Sequence, residues 1–117
     1  MSSFFMNEEC VFVSPSLASL IGLSEAILLQ KLETLISNSK DKEQACYSVP
    51  DLEKHLPFWS RNTIKSLIYH LQKSKFIFVE KNFNRGEIAE CFYKINFAEL
   101  ERIIKISKIT ENDIQMI

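Results

Sequence analysis

The stretch from Ser60 to Ser74 constrains this chain more than any other. Ile64, Leu67, Ile68 and Leu71 recur at i, i+3, i+4 and i+7, which lines one side of a helix with apolar groups while the other side stays polar. Ser60 is placed to cap that helix. A helix patterned in this way folds only if a second layer covers its stripe. What precedes it is a shorter helical segment, Val49 to Leu56, with Leu52 and Leu56 on one side. Pro57 stops that segment, because the residue before a proline is pushed out of the helical region. Ser48 with Asp51 resembles an acidic variant of the capping box. Phe58 and Trp59 then fill a tight turn. Downstream, Phe76 to Val79 and Ile88 to Ile95 are β-favouring runs separated by the turn-forming Lys81 to Gly86, which predicts a hairpin.

The flanks complete one domain. Cys10 to Val13 reads as a short β-rich run, and Ser14-Pro15 as the start of a helix ending at Ile21 with Gly22 as breaker. Ser24-Glu25 opens a second helix carrying Ile27, Leu28, Leu32, Leu35 and Ile36, the expected central core helix. Ser37 to Gln44 reads as a loop and Ala45 to Ser48 as a strand. Asn96 caps a last helix from Phe97 to about Lys105, and Ser107 to Ile117 shows no clear period. The expected organisation is an arm at 1–13, a domain at 14–105, and a tail or linker at 106–117. The order of helix, strand, short helix, tight turn, amphipathic helix and hairpin predicts an α+β fold, mainly α, of the winged helix-turn-helix type.

In that arrangement the second helix of the pair leads into a major groove and the hairpin reaches the neighbouring backbone. With its stripe turned to the core, the helix leaves Ser60, Arg61, Asn62, Lys65, Ser66, Tyr69 and Lys73 outward, and the hairpin contributes Lys81, Asn84 and Arg85. These side-chain types suit base edges and phosphates. Net charge alone argues otherwise, since 14 basic residues against 15 acidic give -1 over 117 residues. Divided by segment, residues 60–85 hold six basic side chains against Glu80 alone, a local +5 inside a remainder of -6.

Several stretches resemble the winged-helix domains at the N-termini of phage, plasmid and mobile-element replication initiators and replisome organisers. They are Pro15-Ser16-Leu17-Ala18-Ser19-Leu20-Ile21-Gly22-Leu23-Ser24-Glu25-Ala26-Ile27-Leu28-Leu29-Gln30, Leu56-Pro57-Phe58-Trp59-Ser60 with Thr63-Ile64-Lys65, and Tyr93-Lys94-Ile95-Asn96-Phe97. The similarity covers roughly residues 13–100. It implies sequence-specific binding of double-stranded DNA at a replication origin, without catalysis. The same domain would equally serve a transcriptional repressor, and a replisome protein-interaction module is the reading from a different class.

Other chemistries find little material. Gly22 and Gly86 are far apart, which leaves no phosphate-cradling loop. His55 and His70 lack the close cysteine pairs of a zinc site, so neither metal nor cofactor is expected. Pairing Cys46 with His55, or Cys91 with His70, as a nucleophilic dyad has no positive support. Cys10, Cys46 and Cys91 lie among apolar neighbours and are expected to act as small core hydrophobes in a reducing, cytoplasmic setting. The opening MSSFFMNEEC lacks the basic and apolar regions of a signal segment. No apolar run approaches the roughly 20 residues that cross a bilayer, so no membrane partner is expected. Phe4, Phe5, Met6 and Phe12 form an apolar terminal segment that could seek a second copy, making a homodimer.

Overall fold

The computed structural model describes residues 10–115, excluding the side chains of 84, 87–89 and 108–115. Phe4, Phe5 and Met6 lie outside the described residues. Among the described residues five helices and three strands follow in the order α1 (Pro15–Ile21), α2 (Leu23–Ser37), β1 (Ala45–Cys46), α3 (Val49–His55), α4 (Arg61–Lys73), β2 (Ile77–Asn84), β3 (Glu87–Ile95) and α5 (Phe97–Gln115). The fold is α+β and mainly helical, with one antiparallel sheet in the order β1-β3-β2. α2 supplies the centre of the core through Leu28, Leu29, Leu32, Leu35 and Ile36, and α4 answers with Ile64, Leu67, Ile68 and Leu71. Leu52 and Leu56 of the α3 region and Ile77, Tyr93 and Ile95 of the sheet complete it.

Local chemistry sets the boundaries. Ser14 caps α1 by accepting from the Leu17 N–H, and Pro15 occupies the first turn. Gly22 ends α1 and begins α2 at φ 108°, a backbone region that side chains with a Cβ rarely adopt. Ser48 and Asp51 form a complete capping box at α3, each accepting the other's backbone N–H at 3.2 Å. Asn96 accepts from the Glu99 N–H at the start of α5. The end of α4 is a Schellman motif, with the Phe76 N–H on Leu71 O at 2.9 Å and the Lys75 N–H on Gln72 O at 3.0 Å. The left-handed position of that motif belongs to Lys75, at φ 67°, where glycine is usual. Phe76 is thereby turned into the core, and the Asn96 side chain donates to Lys75 O at 2.8 Å, tying this corner to α5.

The structure corrects several expectations. Cys10 to Val13 is not a strand: among the described residues no neighbouring strand offers it a ladder, and the Ser14 N–H is held by the Gln30 side chain at 2.6 Å instead. Cys10 and Cys46 are exposed and Cys91 is half-buried. Cys91 packs against the core, as expected, whereas Cys10 and Cys46 do not; for Cys46 the reason is alternation along the two-residue edge strand β1, which turns Ala45 inward and Cys46 outward. Lys81 to Asn84 belong to β2, and the hairpin turn shrinks to Arg85 and Gly86 at φ 55° and 81°. Two positive φ values make a type I′ turn, whose twist suits long paired strands. α5 continues past Lys105 to Gln115 through a segment without glycine or proline, so the region expected as a tail is helical.

Two outcomes follow for stability. Hydrogen bonds from Ser48, side chain first and backbone second, hold the Asp51 carboxyl below its ordinary value of 3.8. A depressed folded value means that the Asp51 contribution is fully present above the ordinary value and is lost as pH falls through the folded one. The difference in melting temperature between the native protein and Asp51→Asn will therefore shrink in acid. Lys75→Gly relieves the left-handed strain and will stabilise the fold by about 1 kcal/mol in urea denaturation, provided the motif is retained.

Candidate functional site

The stripe of α4 fixes which residues it shows to solvent. Arg61, Asn62, Lys65, Ser66, Tyr69 and Lys73 are all exposed, and among the residues of α4 itself there is no acid. Tyr69 is 58% exposed, and the Lys73 ammonium lies 5.9 Å from the centre of its ring. Asn62, Ser66, Tyr69 and Lys73 follow one another at spacings of three and four, so they form a single polar row opposite the buried stripe.

Two residues of the predicted set are already engaged. The Ser60 hydroxyl caps α4, accepting from the Thr63 N–H at 3.2 Å and lying 3.0 Å from the Thr63 hydroxyl. Arg61 Nε donates to Glu53 of α3 at 2.7 Å, across the tight turn. Trp59 in that turn packs partly against the core, whereas Phe58 is 56% exposed and meets the Trp59 ring edge-on at 4.9 Å between centroids. Only one of the two aromatics wedges the turn.

Between α4 and the sheet lies an open groove of about 640 Å³. Lys65, Tyr69 and Gln72 of α4 form one bank, Lys81 and Glu90 of the hairpin the other, and Ile68, Val79, Cys91 and Tyr93 contribute apolar lining. Burial pushes the Tyr93 phenol far above its usual range, and its hydrogen bond with Cys91 acts in the same direction, so the ring is neutral at any working pH. Sequence reading passed over Gln72, although its position three residues after Tyr69 and seven after Lys65 is a helical signal for the same flank. It also passed over Glu53, whose pairing with Arg61 depends on how the turn folds α3 back.

The hairpin carries no net charge. β3 returns alongside β2 and brings Glu87 and Glu90, so residues 77–95 hold three basic and three acidic side chains. Asn82 donates to Glu90 at 3.4 Å. Lys81 and Arg85 are exposed, and the side chain of Asn84 lies outside those described. The concentration of positive charge therefore belongs to α4 and the corner at Lys75, with the hairpin a mixed surface.

Among the described residues no three His, Cys, Asp or Glu side chains gather as a metal site would require, and no helix is long and apolar enough to cross a membrane. Comparisons with family models, curated proteins and solved structures return no match to this chain. The role of Ser60 is open to a direct measurement. Ser60→Ala removes the α4 cap and will cost about 1 kcal/mol in urea denaturation, without altering the far-ultraviolet signature of the folded protein.

Proposed function

We propose that this chain is a winged helix-turn-helix domain that binds double-stranded DNA with α4 as its reading helix. The observation that carries the proposal is the polar row of α4, where Asn62, Lys65, Ser66, Tyr69 and Lys73 stand exposed on a helix with no acidic residue. Asn62 lies in the first turn, the part of such a helix that meets base edges, and asparagine can pair both polar atoms with adenine. Lys65 and Lys73 provide cations for guanine or phosphate. Lys81 and Arg85 of the hairpin act on the backbone. Arg61 keeps further N–H donors while its Nε holds Glu53, and that carboxylate offsets part of its positive charge.

The resemblance read from the sequence at residues 15–30, 56–60 with 63–65, and 93–97 leads us to propose origin recognition as the biological role, with other replisome proteins as further partners. This role involves binding alone and no catalysis. A single reading helix touches few base pairs, so a site of useful length calls for a homodimer reading two half-sites about one helical turn apart.

Retention of genomic and element-derived fragments on the immobilised protein tests the reading. Enrichment of one repeat-bearing region supports an origin, dispersed promoter regions point to a repressor, and no retention at low salt points to a protein-interaction module. On the retained duplex, Asn62→Ala will cost about 1–3 kcal/mol and relax base preference. Glu53→Gln, which frees Arg61, will strengthen binding. With about five phosphates neutralised, log K against log salt will slope at about -4 to -5. A flat salt dependence, or an Asn62→Ala protein that binds every duplex as before, would remove α4 as the reader.

A further inference from the structure

The tip of the hairpin carries an aromatic side chain that the α4 contact does not use. Phe83 is 64% exposed on β2, two residues before the type I′ turn. Val79 and Lys81 line the groove beside α4, and alternation along β2 puts Phe83 on that same face. Register shifts between Asn82 and Phe83, since Asn82 pairs with Glu90 and Phe83 with Ile88, which leaves Ala89 as the extra residue of a bulge in β3. A bulge adds local twist and re-aims the side chains beyond it. Among the described residues a Cβ placed on Gly86 would meet nothing within 4 Å, so the turn opens to solvent at that position.

We infer that Phe83 is a wedge that enters the minor groove beside the α4 contact and opens a base step, bending the DNA. The inference rests on the DNA-binding reading above. Exposed Lys81 and Arg85 flank the ring in sequence, which pairs an apolar tip with cations suited to the phosphates on either side of a minor groove. Four residues at about 3.3 Å each carry Phe83 about 13 Å beyond Val79. The major groove is about 12 Å wide, so the strand is long enough to reach past the backbone that borders it. An inserted Phe unstacks a step and kinks the duplex by about 20–90° toward the major groove.

The test uses the whole chain and a random-sequence duplex rich in TA steps, which unstack most easily. Donor and acceptor dyes at its ends report bending, and 2-aminopurine in the TA steps reports unstacking. The native protein at low salt will shorten the end-to-end distance and raise 2-aminopurine fluorescence. Phe83→Thr will bind and do neither, whereas Phe83→Leu, which keeps an apolar wedge, will retain both signals. A role in strand stability would give the opposite order, because threonine is the better strand former of the two. Native protein that binds without bending or unstacking, or Phe83→Thr that matches it in both, overturns the wedge and leaves the DNA reading standing. Failure of the native protein to bind any duplex at low salt overturns both.

Discussion

The packing of Ile64, Leu67, Ile68 and Leu71 of α4 against the core built on α2 determines the rotation of α4 about its own axis. Every other property of the exposed surface follows from that rotation. Burying a large aliphatic side chain contributes about 1.5–3 kcal/mol, so turning the stripe away would cost several such increments together. The polar row from Asn62 to Lys73 is therefore held outward by the core and not by contacts of its own. Conditions at the two ends of α4 reinforce the same placement. The Ser60 hydroxyl satisfies the Thr63 N–H of the first turn, and the Schellman corner at Lys75 sends the chain into β2 with Phe76 buried.

Charge measured along the chain and charge measured over the surface give different pictures. Counting residues 60–85 joins α4 to the outgoing strand of the hairpin and omits the strand that lies against it. Antiparallel pairing puts Glu90 opposite Asn82, and the tight turn brings Glu53 onto Arg61. Both acids come from outside the counted window. Exposed ion pairs are individually worth only about 0–1 kcal/mol, so these contacts do little for the fold. Their larger effect is on the surface charge, since each carboxylate lowers the positive potential beside it. The hairpin is consequently balanced in charge, whereas α4 keeps Lys65 and Lys73 exposed beside the paired Arg61 and has no acid of its own.

Much of this architecture was legible because its determinants are local. The stripe of α4, the capping box at Ser48 and Asp51, the stop at Pro57 and the cap at Asn96 are each written within four or five residues, and each appears in the structure. The errors fall where the deciding partner is distant or the signal is short. Cys10 to Val13 has strand-like composition but no strand beside it, and the two-residue β1 is too brief to show which way Cys46 points. The hairpin turn was overestimated because Asn82 and Asn84 are turn formers by composition, while their pairing with β3 depends on register. Of the candidate site, the α4 residues were recoverable from periodicity, whereas the engagement of Ser60 and Arg61 and the aim of Phe83 required the tertiary structure.

The hairpin also shows how one element can be buried at one end and exposed at the other. At its base Ile77, Tyr93 and Ile95 are buried in the common core, and the neutral, hydrogen-bonded Tyr93 ring lies where α4 and the sheet converge. Towards the tip the burial ends, and Lys81, Asn82, Phe83, Arg85 and Gly86 all face solvent. Among the described residues the outer half is held by the backbone ladder, the turn and the Asn82–Glu90 hydrogen bond. The type I′ geometry suits this division, since it maintains strand twist without needing support from the helices. An anchored base fixes the direction in which the tip projects relative to α4, and the bulge at Ala89 adjusts its twist. Such a lever can carry an exposed aromatic group at little cost to the fold, because the core that stabilises the domain ends before Phe83 begins.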